Sequence, residues 1–231
     1  MNYPGGKNHV YQRIINLIPP HRVYIECFAG GGAILRNKRA ASWSIAIDAD
    51  ASALEQLAAA IADNNDVGQV EFVNADAMTW LASYPFQGDE FVYADPPYLM
   101  STRRQHRQIY RCELGKEEQH AALLDCLKSL PCNVMISGYW SELYGQMLAG
   151  WPTESFQATT RGGAMATEYL WMNYPKPVRL HDYRYLGDTF RDRERIKRKK
   201  ERWASRLLGM DILERQALLA ILDTFNDGAE A

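Results

Sequence analysis

The sequence lacks any stretch approaching the apolar length of a membrane span. Its start, Met1 to Lys7, is polar and glycine-rich, with no apolar run behind it, so no secretory signal is expected. A cytoplasmic protein without a membrane partner follows as the expectation. Cysteine is scarce: Cys27, Cys112, Cys126 and Cys132 are the four, and none forms a C-x-x-C pair. Zinc and dithiol-redox chemistry therefore have no ligand set at their usual spacing, and free thiols are expected. His21, His120 and His181 show no ligand spacing, and no metal is expected. A G-x-S-x-G nucleophile elbow is missing, so Ser137-Gly138-Tyr139 reads as pocket wall after a strand. The full G-x-x-x-x-G-K-[ST] pattern is missing too. Gly5-Gly6-Lys7 is followed by Asn8, which excludes a P-loop triphosphatase. Repeats and low-complexity segments are absent.

What remains is an ordinary globular composition. The 231 residues are 47% hydrophobic and 23% charged, enough to bury a core without disulfides or metals. Strands and helices alternate along the first three-quarters. Val23 to Cys27, Ser44 to Asp48, Val70 to Asn74, Glu90 to Ala94 and Asn133 to Ser137 read as strands. Ala51 to Ala62 and Lys116 to Leu130 read as helices, the second with Ala121, Leu124 and Leu127 on one face. Tyr169 to Tyr174 reads as a late aromatic strand. This order predicts an α/β fold, a mostly parallel sheet with helices on both faces. Such sheets bind ligands outside the carboxyl ends of their strands.

The charge is nearly balanced at a net of -2, but unevenly spread. Arg191 to Arg206 holds nine Lys/Arg and three acids, a local +6 that leaves -8 for the remainder. Asp211 to Phe225 has apolar residues at helix spacing. Pro175-Lys176-Pro177 interrupts regular structure. The expected division is a catalytic domain over 1–177 and a basic helical segment over 178–231.

Asp95-Pro96-Pro97-Tyr98 closes the fourth strand. An aromatic exocyclic amine is a poor nucleophile because its lone pair is delocalised into the ring. A carboxylate (Asp95) and a backbone carbonyl (Pro96) that accept its two hydrogens would hold the nitrogen nearer tetrahedral and aim its lone pair. Pro96 and Pro97 stiffen the loop. Tyr98 offers a flat face for stacking a base. Glu26-Cys27-Phe28-Ala29-Gly30-Gly31-Gly32 follows the first strand, where glycines let backbone approach a ligand. Asp48 ends the next strand 18 residues after Gly30, suited to ribose hydroxyls of an adenosine-bearing cofactor. Asp50 suits a helix cap better. Asp76, in Asn74-Ala75-Asp76, fits either a contact to the cofactor's adenine amine or a cap on the helix that follows. Lys7 is placed to meet the target base or the cofactor carboxylate.

Taken together, the order aromatic-x-G-G-K, E-x-F-x-G-x-G, strand-end acid and D-P-P-Y resembles the D12 class of Dam-like DNA adenine N6-methyltransferases, from Met1 to about Pro177. The resemblance implies a Rossmann-like methyltransferase fold that uses S-adenosyl-L-methionine and no metal, and flips its target adenine out of DNA. By likeness, Tyr3, Lys7, Asp48 and Asp95 meet the cofactor and Phe28 and Gly30 fall in its loop; the positions of Gly32 in the turn and Asp76 after the third strand add them to the expected cofactor set. Asp95, Pro96, Pro97 and Tyr98, with Lys7, carry the reaction, and Tyr169 to Tyr174 helps shape the base pocket. The chain departs from the family at Cys27, where proline is usual. It departs again between Asn74 and Glu90, a connection too short for the family's target-recognition insertion. DNA contacts are expected from Arg103, Arg104, Arg107 and Arg111 beside the catalytic motif, and from the later basic run, including Arg195 and Lys199. Leu207, Leu208, Ile212, Leu213 and Leu219 suggest a helical hairpin that packs on something, a second copy included. The alternatives are a methyltransferase acting on RNA adenine or a protein glutamine amide, and a catalytically silent DNA-binding relative.

Overall fold

A computed structural model describes residues 7, 10–102, 114–159 and 165–227. Seven strands form one sheet in the order β3-β2-β1-β4-β5-β7-β6. They are β1 (Val23–Cys27), β2 (Trp43–Asp48), β3 (Val70–Asn74), β4 (Glu90–Ala94), β5 (Asn133–Tyr139), β6 (Thr153–Thr159) and β7 (Met165–Met172). The helices are α1 (Tyr11–Ile15), α2 (Ala33–Asn37), α3 (Ala51–Ile61), α4 (Ala77–Ser83), α5 (Glu117–Ser129), α6 (Glu142–Met147), α7 (Phe190–Leu208) and α8 (Ile212–Asp227).

The first five strands pair in parallel. From β1 the chain steps outward through β2 to β3, then returns across to β4 and β5. Right-handed crossovers in opposite directions put the connecting helices on opposite faces. Accordingly α4 contacts α5 and α5 contacts α6, whereas α2 contacts α1. β1 and β4 are buried along their whole length, as central strands covered on both faces must be. Their apolar residues Ile25, Val92 and Ala94 join Val134 and Ile136 of β5 in one core, packed against Leu123, Leu124 and Leu127 of α5.

Two features differ from the sequence expectation. The late strand begins earlier, at Met165, and runs antiparallel to β5. It pairs with β6, which the sequence did not suggest. β6 is an edge strand whose sequence, Thr-Glu-Ser-Phe-Gln-Ala-Thr, carries little apolar signal.

Helix starts follow local chemistry. Asp50 caps α3 by accepting from the Ser52 N–H at 3.0 Å, and Asp76 caps α4 by accepting from the Thr79 N–H at 2.9 Å. His120 is buried, with Nε2 2.9 Å from the Leu114 carbonyl and Nδ1 2.9 Å from the Tyr144 hydroxyl. Its Nε2 therefore donates, its Nδ1 accepts, and the imidazole clips α5 to α6.

The chain forms two compact units, Met1–Tyr183 and Arg184–Ala231. The first continues past Pro177 because the segment beyond it is strapped down. The His181 N–H donates to the Ile18 carbonyl at 2.9 Å, and the Asp182 carboxylate accepts the Arg39 N–H at 2.8 Å. The His181 ring stacks on His21 with centroids 3.9 Å apart. The second unit holds α7 and α8. Thr189 caps α7, and no residue of that helix is buried. No described helix is long and apolar enough to cross a membrane. No described cluster of His, Cys, Asp or Glu is able to hold a metal. Cys27, Cys126 and Cys132 are free thiols, and Cys112 lies outside the described residues.

Candidate active site

The strand order reverses between β1 and β4, so a crevice opens beyond their carboxyl ends. Both ends carry a motif. The loop after β1 turns sharply: Phe28, Gly30 and Gly32 adopt φ of 58°, 48° and 57°. That left-handed region is costly for a residue with a Cβ. At Gly32 a Cβ would also come within 2.5 Å of the Leu57 side chain of α3. Glycine there permits close packing of the turn on that helix. Phe28 bears the strain with a full side chain, a mark of a functional turn.

Asp48 anchors this loop from the end of β2. Its Oδ2 accepts the Gly30 N–H at 2.8 Å, and its Oδ1 accepts the Asp50 N–H at 2.8 Å. Burial raises its carboxyl above the ordinary aspartate value, and the Asp50 and Gly30 amides oppose the rise. Asn74, at the end of β3, donates to the Asp48 and Ala49 carbonyls at 3.0 and 3.1 Å. Three strand ends are thereby locked together. Before the turn, Glu26 accepts from the Tyr24 hydroxyl and the Leu35 N–H, both at 2.9 Å. Burial lifts Glu26 to about 7.

Asp95 leaves β4 with its N–H 3.4 Å from the Cys27 carbonyl, which joins the two motifs. Its carboxylate meets Lys7 and Ser137. The Lys7 ammonium donates to Oδ1 at 2.7 Å and Oδ2 at 2.6 Å, and the Ser137 hydroxyl donates to Oδ1 at 2.7 Å. Ser137 is itself 3.0 Å from the Tyr93 hydroxyl. A carboxylate offers roughly four acceptor positions. Three are taken, so one remains on Oδ2. The buried Pro96 carbonyl accepts no hydrogen bond from any described residue. The motif thus keeps two open acceptors, one on Asp95 and one on Pro96.

Lys7 is 3% exposed, which makes its charge the decisive feature of the site. Its carbonyl accepts the Val10 and Tyr11 N–H groups ahead of α1, and α1 is fixed by buried Ile14 and Ile15. Burial works against the ammonium. The Asp95 and Glu168 carboxylates outweigh it and hold the lysine well above its ordinary value. Burial also raises Asp95, with Lys7 opposing. Lys7 is the cation locked against the Asp95 carboxylate, at 2.7 and 2.6 Å from its two oxygens.

Tyr98 completes the cluster. Its hydroxyl accepts from Lys7 at 2.8 Å and donates to Glu168 of β7. Lys7 also lies 3.3 Å from Glu168. The Tyr98 ring packs on Tyr139 with centroids 4.3 Å apart. Glu168 is a member of this site that the sequence reading did not single out, and Ser137, expected only as pocket wall, bonds the catalytic-motif carboxylate directly. Tyr3, Arg103, Arg104, Arg107 and Arg111 lie outside the described residues. Asp76 caps α4, and Arg195 and Lys199 lie on α7, in the second unit.

The D12 class N6 adenine-specific DNA methyltransferase family matches this sequence over residues 3–69 and 46–155. The chain belongs to that family. Its activity at the level of the family is methyl transfer to adenine; Lys7, Asp48, Asp95, Tyr98 and Ser137 fall within the matched span, and Glu168 lies beyond it. Among solved structures, a possible methylase from Clostridium difficile 630 is similar at 12% identity with a TM-score of 0.50, over 73% of this chain and 52% of that one. This likeness shows a shared fold, and the chain spans about half of that protein. Precorrin 8w decarboxylase of Methanobacterium thermoautotrophicum matches at 12% identity and a TM-score of 0.47, over 75% and 94% of the two chains. M. capricolum TrmK, solved with S-adenosyl-homocysteine, matches at 9% identity and a TM-score of 0.46, over 95% and 97%. No curated protein sequence matches the chain.

Proposed function

We propose that this protein transfers a methyl group from S-adenosyl-L-methionine to the N6 amine of an adenine flipped out of DNA. The observation that carries the reading is the Asp95 carboxylate bonded by buried Lys7, with one acceptor position open beside an unused Pro96 carbonyl. Those two acceptors are what an amine with two hydrogens requires.

The cofactor's contribution is an electrophilic methyl group. The donor set fits it: Asp48 is a carboxylate with acceptor capacity left for ribose hydroxyls, and the turn of Phe28, Gly30 and Gly32 brings backbone to the same crevice. Every other part of the reaction falls to the chain's own residues. Asp95 and the Pro96 carbonyl accept the amine hydrogens and orient the nitrogen lone pair. Tyr98, backed by Tyr139, stacks on the adenine. After transfer the nitrogen must shed a proton, and Asp95, whose burial favours its protonated form, takes it.

DNA would be held by electrostatics outside the crevice. The described candidate is α7, which carries Arg195 and Lys199, with Trp203 exposed and Arg206 stacked 5.5 Å from its ring. Arg103, Arg104, Arg107 and Arg111 follow the catalytic motif in sequence and are assigned the same role. The exposed Ile212, Leu213, Leu219 and Leu222 of α8 suit pairing with a second copy. The catalytic domain of this proposal is the first unit, Met1–Tyr183, and the basic helical segment is the second, Arg184–Ala231; its setting is the cytoplasm.

The test is methylation mapping in a host without its own adenine methylation, against an empty vector. N6-methyladenine in one sequence context identifies a site-specific enzyme, and spread over most contexts it identifies a relaxed one. No new methylation from soluble, expressed protein overturns DNA as the substrate.

A further inference from the structure

The cluster contains a buried acid that the transfer itself does not use. Glu168 stands on β7 directly across from Tyr139 of β5, and is 5% exposed. One oxygen, Oε1, accepts the Tyr98 hydroxyl and lies 3.3 Å from Lys7. The other, Oε2, is buried with no hydrogen-bond partner among the described residues. A buried carboxylate with one oxygen left unsatisfied is destabilising. The β5–β7 ladder pairs through backbone and would form with a neutral residue at this position. The acid therefore answers to something other than the sheet.

We infer that Glu168 is a positioning residue that fixes the Tyr98 ring and the Lys7 ammonium relative to Asp95. The contacts close a ring: Lys7 donates to Asp95 and to the Tyr98 hydroxyl, Tyr98 donates to Glu168, and Glu168 pairs with Lys7. Tyr139 supports Tyr98 from the other side. A tyrosine held only by stacking can slide and rotate about its ring axis. A tyrosine also tied at its hydroxyl presents its face at one height and angle. Glu168 further divides the lysine's charge between two carboxylates, so the proton affinity of Asp95 depends on it. The groups facing Glu168 are Lys7, Asp95 and Tyr98, with Tyr139 on the paired strand.

This inference rests on the adenine reading, but its test separates the two. Three proteins are needed: wild type, Glu168→Gln and Glu168→Ala. Glutamine keeps an acceptor for the Tyr98 hydroxyl and removes the charge, whereas alanine removes both. We expect E168A to lower kcat for DNA about 100-fold, with a smaller change in KM, the scale of a catalytic group displaced by about 1 Å. E168Q retains more of the rate, and the acid limb of its pH–rate profile moves to lower pH, because Asp95 then has Lys7 to itself. Equal losses in both variants with an unmoved acid limb would indicate a merely structural role and overturn the inference. An activity-free measurement accompanies this: tyrosine ring-carbon NMR, with Tyr98→Phe used to assign the resonance. The Tyr98 signal should be displaced in E168A, and an undisplaced signal overturns the inference whether or not DNA is the substrate. Wild-type protein that leaves DNA unmethylated defeats the substrate reading instead.

Discussion

The two units of this protein use charge in opposite ways. In the first, few charges matter, and they are buried: Lys7, Asp95 and Glu168 meet with at most 20% of any side chain exposed. In the second, α7 is charged along most of its length and buries nothing. Low local dielectric strengthens every interaction in the first group and makes each unpaired member costly. Solvent and salt weaken every interaction in the second, where effect comes from number. A site for chemistry needs the first kind of charge and a surface for phosphates needs the second. Substitutions should therefore be severe and local in one unit, mild and salt-dependent in the other.

The largest expected effect is on Asp95. Asp95→Ala removes the carboxylate acceptor of the amine and leaves Lys7 with Glu168. Methyl transfer should fall by at least about 1,000-fold, the upper range for loss of one preorganised electrostatic contact. Substantial activity in this variant would remove the mechanism. Lys7→Met comes next. It leaves two buried carboxylates without their cation, and breaking a buried pair in this way costs about 3–5 kcal/mol. Thermal or urea denaturation should show that loss along with the loss of activity. A variant as stable as wild type would mean that Asp95 and Glu168 are solvated in solution.

The contrast also explains what was legible in the sequence. β1 and β4 fall where their apolar runs and the turn residues beyond them indicated, because central parallel strands leave a local signature, and the edge strand β3 also falls at its expected bounds. The Asp95 motif was legible for a similar reason, since its parts are adjacent in the chain. Glu168 was not. An acid between threonine and tyrosine reads as the solvent face of a strand, and only the antiparallel register against Tyr139 turns it inward. β6 was hidden by its edge position, where polar residues are tolerated on the open side. The burial of Leu180 to Asp182 escaped notice because the strap is held by side-chain contacts to Arg39 and His21 rather than by a periodic pattern.

That strap yields a smaller, pH-dependent prediction within the first unit. Burial, with the His181 and Lys38 charges, lowers His21 to about 2, and burial with Lys38 lowers His181 to about 4. Both values lie below the ordinary histidine value of 6.5. Between about 4 and 6.5 the unfolded chain therefore binds more protons than the folded one. Stability is full above that range and declines as pH falls through it. Denaturation midpoints should drop on acidification in wild type and drop less in His181→Gln. Equal slopes in the two proteins would mean that the stacked pair is not where the protons enter.

The smallest effect is expected in the second unit. Arg195 is exposed, and its one described ion pair, to Asp192 at 3.6 Å, is a surface contact. Arg195→Ala combined with Lys199→Ala should leave the denaturation midpoint unchanged, because exposed pairs contribute about 0–1 kcal/mol. If α7 follows the phosphates, the double variant loses two counterion-releasing contacts. The slope of log K against log salt should then become shallower by about 2. DNA binding would weaken several-fold at low salt and converge on wild type as salt rises, with kcat at saturating DNA unchanged. An unaltered slope would remove α7 from the DNA surface and leave the arginines after the catalytic motif to hold the duplex. A fall in kcat at saturating DNA would break the division of labour between the units, since it would bring an exposed charge on α7 into a reaction that buried charges should complete alone.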